Sequence, residues 1–260
     1  MKAIQYITAA LAIAASAFTA SAQGYTTPGL EWSSRHGIHY EVNAGLNIGG
    51  ASPIPLPAEI RKIDSYNPNL NLMIGATATK WIEPTQRWGV SVGIRFETKG
   101  MKTGATVKNY GMEIIQDGSR VKGNWTGKVQ TKYSSTQLCI PILANYRINS
   151  RWRVNFGPYI ALALNNDFSG KVHDGYLREG NPTGNKVVFE GDSEATYDFS
   201  DEIRLFQWGL QAGGSWLAFR HLAINANLTW GLNNIFNSSF KTVSFDLYPI
   251  YLNLGFGYAF

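Results

Sequence analysis

Cysteine and long apolar runs are both scarce in this sequence, and each shortage excludes a class of structure. Cys139 is the single cysteine among 260 residues, so no disulfide within the chain can hold the fold together. After residue 22 no apolar run approaches the roughly 20 residues that a membrane-spanning helix needs. The four histidines are not spaced as metal ligands are, and no glycine-rich phosphate loop occurs. We therefore expect no disulfide framework, no metal and no bound cofactor.

The first 22 residues have the composition of a secretory signal peptide. Lys2 supplies a positive start, residues 7–18 form a short apolar stretch, and Ala20-Ser21-Ala22 is a small-residue cleavage site. A membrane anchor is the alternative, but the apolar stretch is too short to span a bilayer. The expected organisation is a signal peptide at 1–22, a periplasmic lead-in at 23–37 and one domain at 38–260.

From residue 38 onwards the dominant pattern is an alternation of apolar and polar residues. Such a period of two indicates β-strands with one apolar and one polar face. Even-numbered positions are the apolar ones in all eight segments that show it: 38–48, 70–78, 88–96, 138–148, 152–164, 206–216, 222–232 and 248–260.

The polar face of these strands decides which way the sheet faces. It carries glycine, asparagine and charged residues such as Arg95 and Glu97, which a dry core would not accept. The apolar face must then point outward into lipid. A soluble barrel of the lipocalin type is the alternative, with its apolar face inside. The sequence thus predicts an all-β, eight-stranded, antiparallel, up-and-down transmembrane barrel.

The connections between the strands alternate between short and long. Short turns lie near 82–86, 149–150 and 218–221, whereas long connections span 49–69, 98–136, 166–204 and 233–246. Barrels of the bacterial outer membrane have short periplasmic turns and long extracellular loops. This pattern predicts an outer-membrane location with both termini periplasmic. Aromatic residues near both strand ends fit two interfacial girdles, and Phe260 is the expected recognition point for the barrel-assembly machinery.

Strand parity also predicts a turn and a defect in the wall. Opposed residues share a face, so two opposed positions must sum to an even number. Ile148 should therefore oppose Trp152 across a three-residue turn rather than Arg151 across two residues. In that register Pro141 and Pro158 lie at one level of the same hairpin. Because proline lacks a ladder donor, we expect a bulge or missing ladder bonds there.

Several segments resemble one family of barrels. They are 42–47 (VNAGLN), 139–147 (CIPILANYR), 155–159 (NFGPY) and 255–260 (GFGYAF). This chain is similar there to the PorT-like outer-membrane β-barrel family. The resemblance covers the region from about residue 38 to the end and implies a barrel architecture. One member of the family is implicated in protein secretion, so an accessory role in a secretion system is one implied function.

Five charged residues occupy odd-numbered positions and should point into the lumen: Glu41, Arg95, Glu97, Arg147 and Arg153. The interior of an eight-stranded barrel is only wide enough to be filled by side chains. Because buried charges need partners, we expect a salt-bridged plug rather than a pore. Glu41 should balance Arg147 and Arg153. Cys139 is also odd-numbered, and its expected role is that of a small buried side chain.

The two longest connections differ in charge. Residues 98–136 contain seven basic and two acidic residues, whereas 166–202 contain three basic and nine acidic ones. They can be two solvated loops, two loops docked on each other, or a basic loop that meets lipopolysaccharide phosphates. Hairpin signals at 116–119 and 190–192 indicate that both extend the strands beyond the membrane.

The chain offers no convincing catalytic group. His173 lies beside Asp174, but adjacent side chains point apart in an extended segment, so we expect a solvated pair rather than a general base. The predicted function is a non-enzymatic outer-membrane barrel that binds through its loops or through protein partners. A secretion accessory, a small diffusion channel and a rim hydrolase or acyltransferase are the alternatives. The net charge of +5 does not indicate nucleic-acid binding in an exported chain with dispersed charges.

Overall fold

The computed structural model describes residues 37–82, 86–116 and 119–260. The predicted signal peptide at 1–22 and the lead-in at 23–37, apart from Gly37, lie outside these residues, as does the tip at 117–118. The strands are β1 Ile38–Pro53, β2 Ile60–Asn67, β3 Asn71–Trp81, β4 Trp88–Gln116, β5 Ser119–Arg147, β6 Trp152–Glu179, β7 Lys186–Asp198, β8 Phe206–Leu217, β9 Leu222–Gly231 and β10 Leu247–Ala259. One turn of 3-10 helix covers Ser200–Glu202.

Eight of the strands form a closed antiparallel ring. The ring runs β1-β3-β4-β5-β6-β8-β9-β10, and β10 pairs with β1 from Glu41↔Ala259 to Pro53↔Leu247. The remaining two strands extend it, β2 by pairing with β4 and β7 by pairing chiefly with β6. The predicted eight-stranded barrel is confirmed. Within the described residues no helix is long and apolar enough to cross a membrane.

The even-numbered face of the ring points outward, as the alternation predicts. On β9 the side chains of Ile224, Leu228 and Trp230 are exposed, whereas those of Ala223 and Thr229 are buried. Large apolar side chains are exposed in this way around the ring because their solvent is lipid. Opposed residues of the ring share parity wherever the lipid-facing segments pair.

The turn between β5 and β6 has the predicted three residues. The Ile148 N–H donates to the Trp152 carbonyl over 3.0 Å, which places these two residues opposite each other. Asn149 closes the turn because its Oδ1 accepts the N–H groups of Arg151 and Trp152, each at 2.9 Å. The alternative pairing of Ile148 with Arg151 does not occur.

The two prolines interrupt the ladder where expected. Pro141 pairs with Tyr159 and Ala144 pairs with Phe156, but the two residue pairs between them are unpaired. The register is the same on both sides of the gap, so the defect is a set of missing ladder bonds and not a bulge. Proline has no N–H to donate, and a closed wall has no edge strand on which to place it.

The strands continue far past the membrane at one end of the ring. β4, β5 and β6 contain 29, 29 and 28 residues, whereas a tilted strand crosses a bilayer with about 9–11. At about 3.3 Å per residue these strands are roughly 95 Å long. We call the end with the long extensions the hairpin end and the end with the short turns the turn end.

Bulges reverse the polarity of the interior in the extensions. Thr136 pairs with Asn165 but Gln137 pairs with Ala163, so Leu164 is an extra residue in β6. Beyond Leu164 the even-numbered Phe168 and Val172 of β6 point inward, and a further bulge near Asp174 returns the odd-numbered Leu177 to the interior. A second bulge in β4, between Val107 and Tyr110, acts in the same way. The result is an apolar core inside the hairpin end, which includes Met101, Met112, Ile114, Trp125, Val129, Tyr133, Phe168, Val172, Leu177, Phe189, Tyr197, Phe199, Ile235 and Phe236.

The second predicted hairpin tip is wrong. The chain turns at 180–185 instead, where the Gly184 N–H donates to the Asn181 carbonyl over 3.0 Å and Asn181 Oδ1 accepts the Thr183 N–H over 2.9 Å. The sequence Asn181-Pro182-Thr183-Gly184, with proline at the second and glycine at the fourth position, is the stronger signature of a β-turn. Residues 190–193 form a bulge within β7, in which Gly191 has a φ of 65°.

The outward apolar face yields a first testable prediction. Leu254 is 42% exposed on β10, and arginine near the bilayer centre costs about 2–4 kcal/mol on the lipid face of a barrel. We expect Leu254→Arg to lower the free energy of unfolding in liposomes by this amount.

The matched control is Val188→Arg. Val188 is 47% exposed on β7, outside the membrane-crossing part of the wall, and its replacement should leave the unfolding free energy unchanged. Equal losses in the two variants would contradict the placement of the lipid-facing band.

Candidate functional site

The interior of the ring at the turn end contains an ion pair with a buried acid and a partly exposed base. The Glu41 carboxylate pairs with the Arg153 guanidinium and accepts a hydrogen bond of 2.8 Å from Asn225 Nδ2. These residues come from β1, β6 and β9. Gly257 on β10 leaves the space for this carboxylate, because a Cβ there would clash with Glu41 and lie 2.8 Å from Asn225 Nδ2.

Arg147 does not join this pair, so the prediction that Glu41 balances both arginines is wrong. Its guanidinium lies over the Trp81 ring, 4.1 Å from the ring centroid. Arg147 is directly opposite Arg153 across the β5–β6 ladder. Like charges repel in that arrangement, and an aromatic face is an alternative partner for a cation.

A second charged cluster lies deeper, at consecutive inward positions of β4. Glu97 lies between two cations, with Lys99 Nζ at 2.9 Å from its Oε1 and Arg95 Nε at 3.8 Å from its Oε2. Arg95 Nη2 also donates to the Cys139 sulfur over 3.3 Å. All three charged side chains are at most 4% exposed. We call Arg95, Glu97 and Lys99 the charged triad.

Lys99 is the member that the sequence reasoning missed, because it was counted with the solvated cations of 98–136. Its odd number, two positions beyond Glu97, was the available signal. The triad has one cation in excess, and Lys99 Nζ lies 5.2 Å and 5.6 Å from the ring centroids of Tyr159 and Tyr251. These aromatic faces supply the compensation that a second carboxylate would give.

The space inside the ring is small and becomes apolar toward the hairpin end. A polar cavity of about 50 Å³ lies between the Glu41 pair and the triad, enough for a few water molecules. Above the triad, Gln137 Nε2 donates to Gln207 Oε1 over 3.1 Å. Tyr133 and the apolar core follow. The predicted lumen residues therefore form two clusters, with Arg147 outside both.

The turn end of the barrel opens into a wider basic mouth. A cavity of about 440 Å³ lies there. Its lining includes Arg147, Arg151, Arg153 and Arg220. Among the described residues, Glu41 is the only acidic side chain that lines it.

The basic and acidic segments of the hairpin end are neighbours in one sheet. Lys132 pairs with Asp167 at 2.6 Å, and Lys128 pairs with Asp174 at 2.9 Å, across β5 and β6. The hydrogen bond from Lys128, with a second from His173, holds the pKa of Asp174 below its usual value. Exposed pairs of this kind contribute about 0–1 kcal/mol. The apolar core, not these charges, stabilises the extensions.

The His173 and Asp174 side chains meet, contrary to the expectation that they point apart. His173 Nδ1 lies 3.2 Å from Asp174 Oδ2, because Asp174 has a left-handed φ of 49°. His173 Nε2 lies 3.2 Å from the Gln130 amide nitrogen. Neither neighbour is a nucleophile that a base could activate. Among the described residues no three His, Cys, Asp or Glu side chains are grouped as metal ligands are.

Phe260 lies where the last strand, β10, pairs with the first strand, β1. Its N–H donates to the Tyr40 carbonyl over 3.0 Å, and its ring contacts that of Tyr258 at a centroid distance of 5.2 Å. Its use by the assembly machinery stays a prediction.

Comparison with known proteins decides the family. A family model described as "outer membrane protein beta-barrel domain" matches residues 21–237. The chain belongs to this family. Fold and family together thus identify the protein as an outer-membrane barrel, located in the bacterial outer membrane. No curated protein matches the chain.

Several solved structures are similar at low identity. Ail of Yersinia pestis, in complex with the heparin analogue sucrose octasulfate, is 12% identical over 86% of this chain and 99% of its own, with a TM-score of 0.37. OprG from Pseudomonas aeruginosa is 14% identical over 85% and 95%, with a TM-score of 0.33. Neisserial surface protein A is 12% identical over 86% and 97%, with a TM-score of 0.31.

The burial of the triad predicts that its acid matters more than Glu41. Glu97→Ala leaves two buried cations without their partner, a change that costs roughly 3–5 kcal/mol in fully buried pairs. The Arg153 side chain is 27% exposed, so Glu41→Ala should cost less. Denaturant unfolding in liposomes measures both losses.

Glu190→Ala is the control for the removal of a carboxylate, since Glu190 is exposed. It should change the unfolding free energy by less than 0.5 kcal/mol, about the limit for ordinary surface substitutions. A loss for Glu97→Ala no larger than that for Glu190→Ala would show that the triad is wet and unimportant.

Proposed function

We propose that this protein is a closed, non-enzymatic outer-membrane barrel that acts by binding at its hairpin end. The filled interior carries this proposal. An ion entering from the turn end meets the Glu41–Arg153 pair, then the triad, then the Gln137–Gln207 pair and finally the apolar core. Buried charges and a dry core oppose the passage of water and ions.

The proposed orientation places the hairpin end outside the cell and both termini in the periplasm. Short turns on the periplasmic side and long extensions outside are usual in these barrels. Aromatic pairs at the turn end support an interface there, with Trp88 and Tyr146 at 4.8 Å and Trp152 and Trp216 stacked at 6.0 Å. Amphipathic rings favour the boundary between lipid and water.

Binding is favoured over catalysis because, among the described residues of the hairpin end, His173 has only Asp174 and Gln130 as partners and so no nucleophile to activate. The long extensions continue the barrel wall, and β2 and β7 widen it. Lipopolysaccharide phosphates are a weaker candidate ligand than the basic segment alone indicated, since Lys128 and Lys132 already have acidic partners.

The resemblance to PorT-like barrels supports a protein partner as a second candidate. A closed barrel whose strands extend beyond the membrane fits an accessory component of a secretion system. Crosslinking in the native membrane, with identification of what co-purifies, tests this role. Recovery of lipid alone would contradict it.

Single-channel recording tests whether the barrel is closed. We expect the protein reconstituted in planar bilayers to give no stable conductance steps, because the triad and the core fill the lumen. A porin in the same bilayers controls for insertion and recording. Stable steps from the wild-type protein would make it a diffusion channel and contradict the proposal.

A matched pair of variants tests where the closure lies. Phe168→Ser weakens the inward-facing core, in which Phe168 is 4% exposed, whereas Phe256→Ser removes a lipid-facing ring that is 60% exposed. We expect intermittent conductance from Phe168→Ser only. Equal behaviour of the two variants would place the closure elsewhere.

A further inference from the structure

The barrel wall is open along one line at the hairpin end. β1 pairs with β3 from Ile38↔Lys80 up to Asn47↔Asn71, where β3 begins. Beyond that level β1 continues to Pro53 with β10 as its partner, and β2 takes the place of β3 beside β4. Among the described residues β1 and β2 form no ladder with each other. We call this opening, between 48–53 of β1 and 60–67 of β2, the seam.

The lower edge of the seam is fixed by a hydrogen-bonded side chain. Asn71 Nδ2 donates to the Asn47 carbonyl over 3.3 Å and to the Gly100 carbonyl over 2.9 Å. This amide joins β1 to β4 at the point where β3 begins. The opening above it is therefore a built feature of the wall.

An apolar cavity of about 410 Å³ lies behind the seam. Its volume is within the range of roughly 300–1,000 Å³ that small-molecule sites occupy. Met101, Ala105 and Val107 line it from β4, and Val129 and Phe168 line it from β5 and β6. None of the lining residues described is Asp, Glu, Lys, Arg or His. Charged ligands would find no partner there.

The rim of the seam is continuous with the lipid-facing surface. Leu56, Ile63 and Tyr66 line the cavity and are 57%, 58% and 51% exposed. Immediately below, Ile48 on β1 and Leu72 on β3 face lipid and are 42% and 46% exposed. A molecule in the membrane can thus reach the cavity sideways across Ile63 and Tyr66, beside the exposed ion pair of Lys62 and Asp64 on β2.

We propose that the cavity binds the acyl chain of a membrane amphiphile, which enters sideways through the seam between β1 and β2. The apolar lining excludes charge, and the rim connects the cavity to the phase in which acyl chains reside. Hydroxyl groups of Ser52 and Thr103 line the same cavity and supply hydrogen bonds for the polar end. This inference names a ligand class for the binding function proposed above.

Photoaffinity labelling of the reconstituted full chain tests the proposal. Liposomes containing a diazirine derivative of palmitic acid are irradiated, and the labelled peptides are identified by mass spectrometry. We expect label on inward-facing residues of β4 and β5, such as Met101 and Val129, in addition to the lipid-facing residues of every strand. Label confined to lipid-facing positions would overturn the proposal.

Ala105→Trp fills the cavity from β4 and should reduce the interior label at least tenfold. Ala144→Trp is the matched control, since Ala144 is exposed on the lipid face of β5, and it should leave the interior label unchanged. Val129→Phe fills the same cavity from another strand, in case Ala105→Trp does not fold. Interior label that survives in a folded cavity-filling variant would overturn the proposal.

The result of the photoaffinity labelling is independent of the result of the conductance measurement. A conducting barrel with a labelled interior would contradict the closed lumen and keep the acyl-chain site. A silent barrel labelled on its lipid face alone would do the reverse.

Discussion

The structure depends on one constraint, which is that lipid offers no hydrogen bonds to an unpaired backbone. Every membrane-crossing strand must therefore have a partner on each side, and pairing of β10 with β1 satisfies the last two edges. The wall departs from full pairing at Pro141 and Pro158, which have no N–H to offer. It departs again above Asn47, at the outer boundary of the lipid-facing band, where β1 no longer has β3 as a partner. The wall is a closed ring across the membrane and opens at its outer boundary.

The same constraint determines the interior. Because the outer face must be apolar within the membrane, the polar residues of each alternating strand are forced inward, where they need partners. Beyond the membrane the outer face meets water, and the apolar residues move inside. In β6 the extra residue Leu164 achieves this change by moving the side chains that follow it to the other face, whereas β5 keeps its parity and carries apolar residues such as Tyr133 at its inward positions.

Most of the barrel was predictable from sequence, because the alternation of apolar and polar residues within each strand does not depend on how the loops between the strands are arranged. The parity of opposed residues even predicted the turn after Ile148 and the ladder gap at the prolines. Three features were missed, the first although parity offered a signal for it. Lys99 was assigned to a loop because the lipid-facing alternation stops near Phe96, although the inward alternation continues. The position of Arg147 depends on Trp81, 66 residues earlier in the chain, and the bulge of β7 depends on its pairing with β6. Such contacts are set by three-dimensional packing rather than by local pattern.

The Glu41 cluster has a consequence for the order of assembly. Its carboxylate belongs to the first strand, whereas Arg153 and Asn225 follow it by 112 and 184 residues, and the nearby contact between Asn47 and Asn253 spans 206. Contacts of such sequence separation carry the largest loop-closure entropy and form late. While the ring is open, Glu41 must remain hydrated, and its carboxylate is withdrawn from water, beside the partly exposed Arg153, only when the last strand meets the first. The ion pair of Glu41 is therefore completed by closure of the ring, and the cost of its loss would oppose separation of the first and last strands.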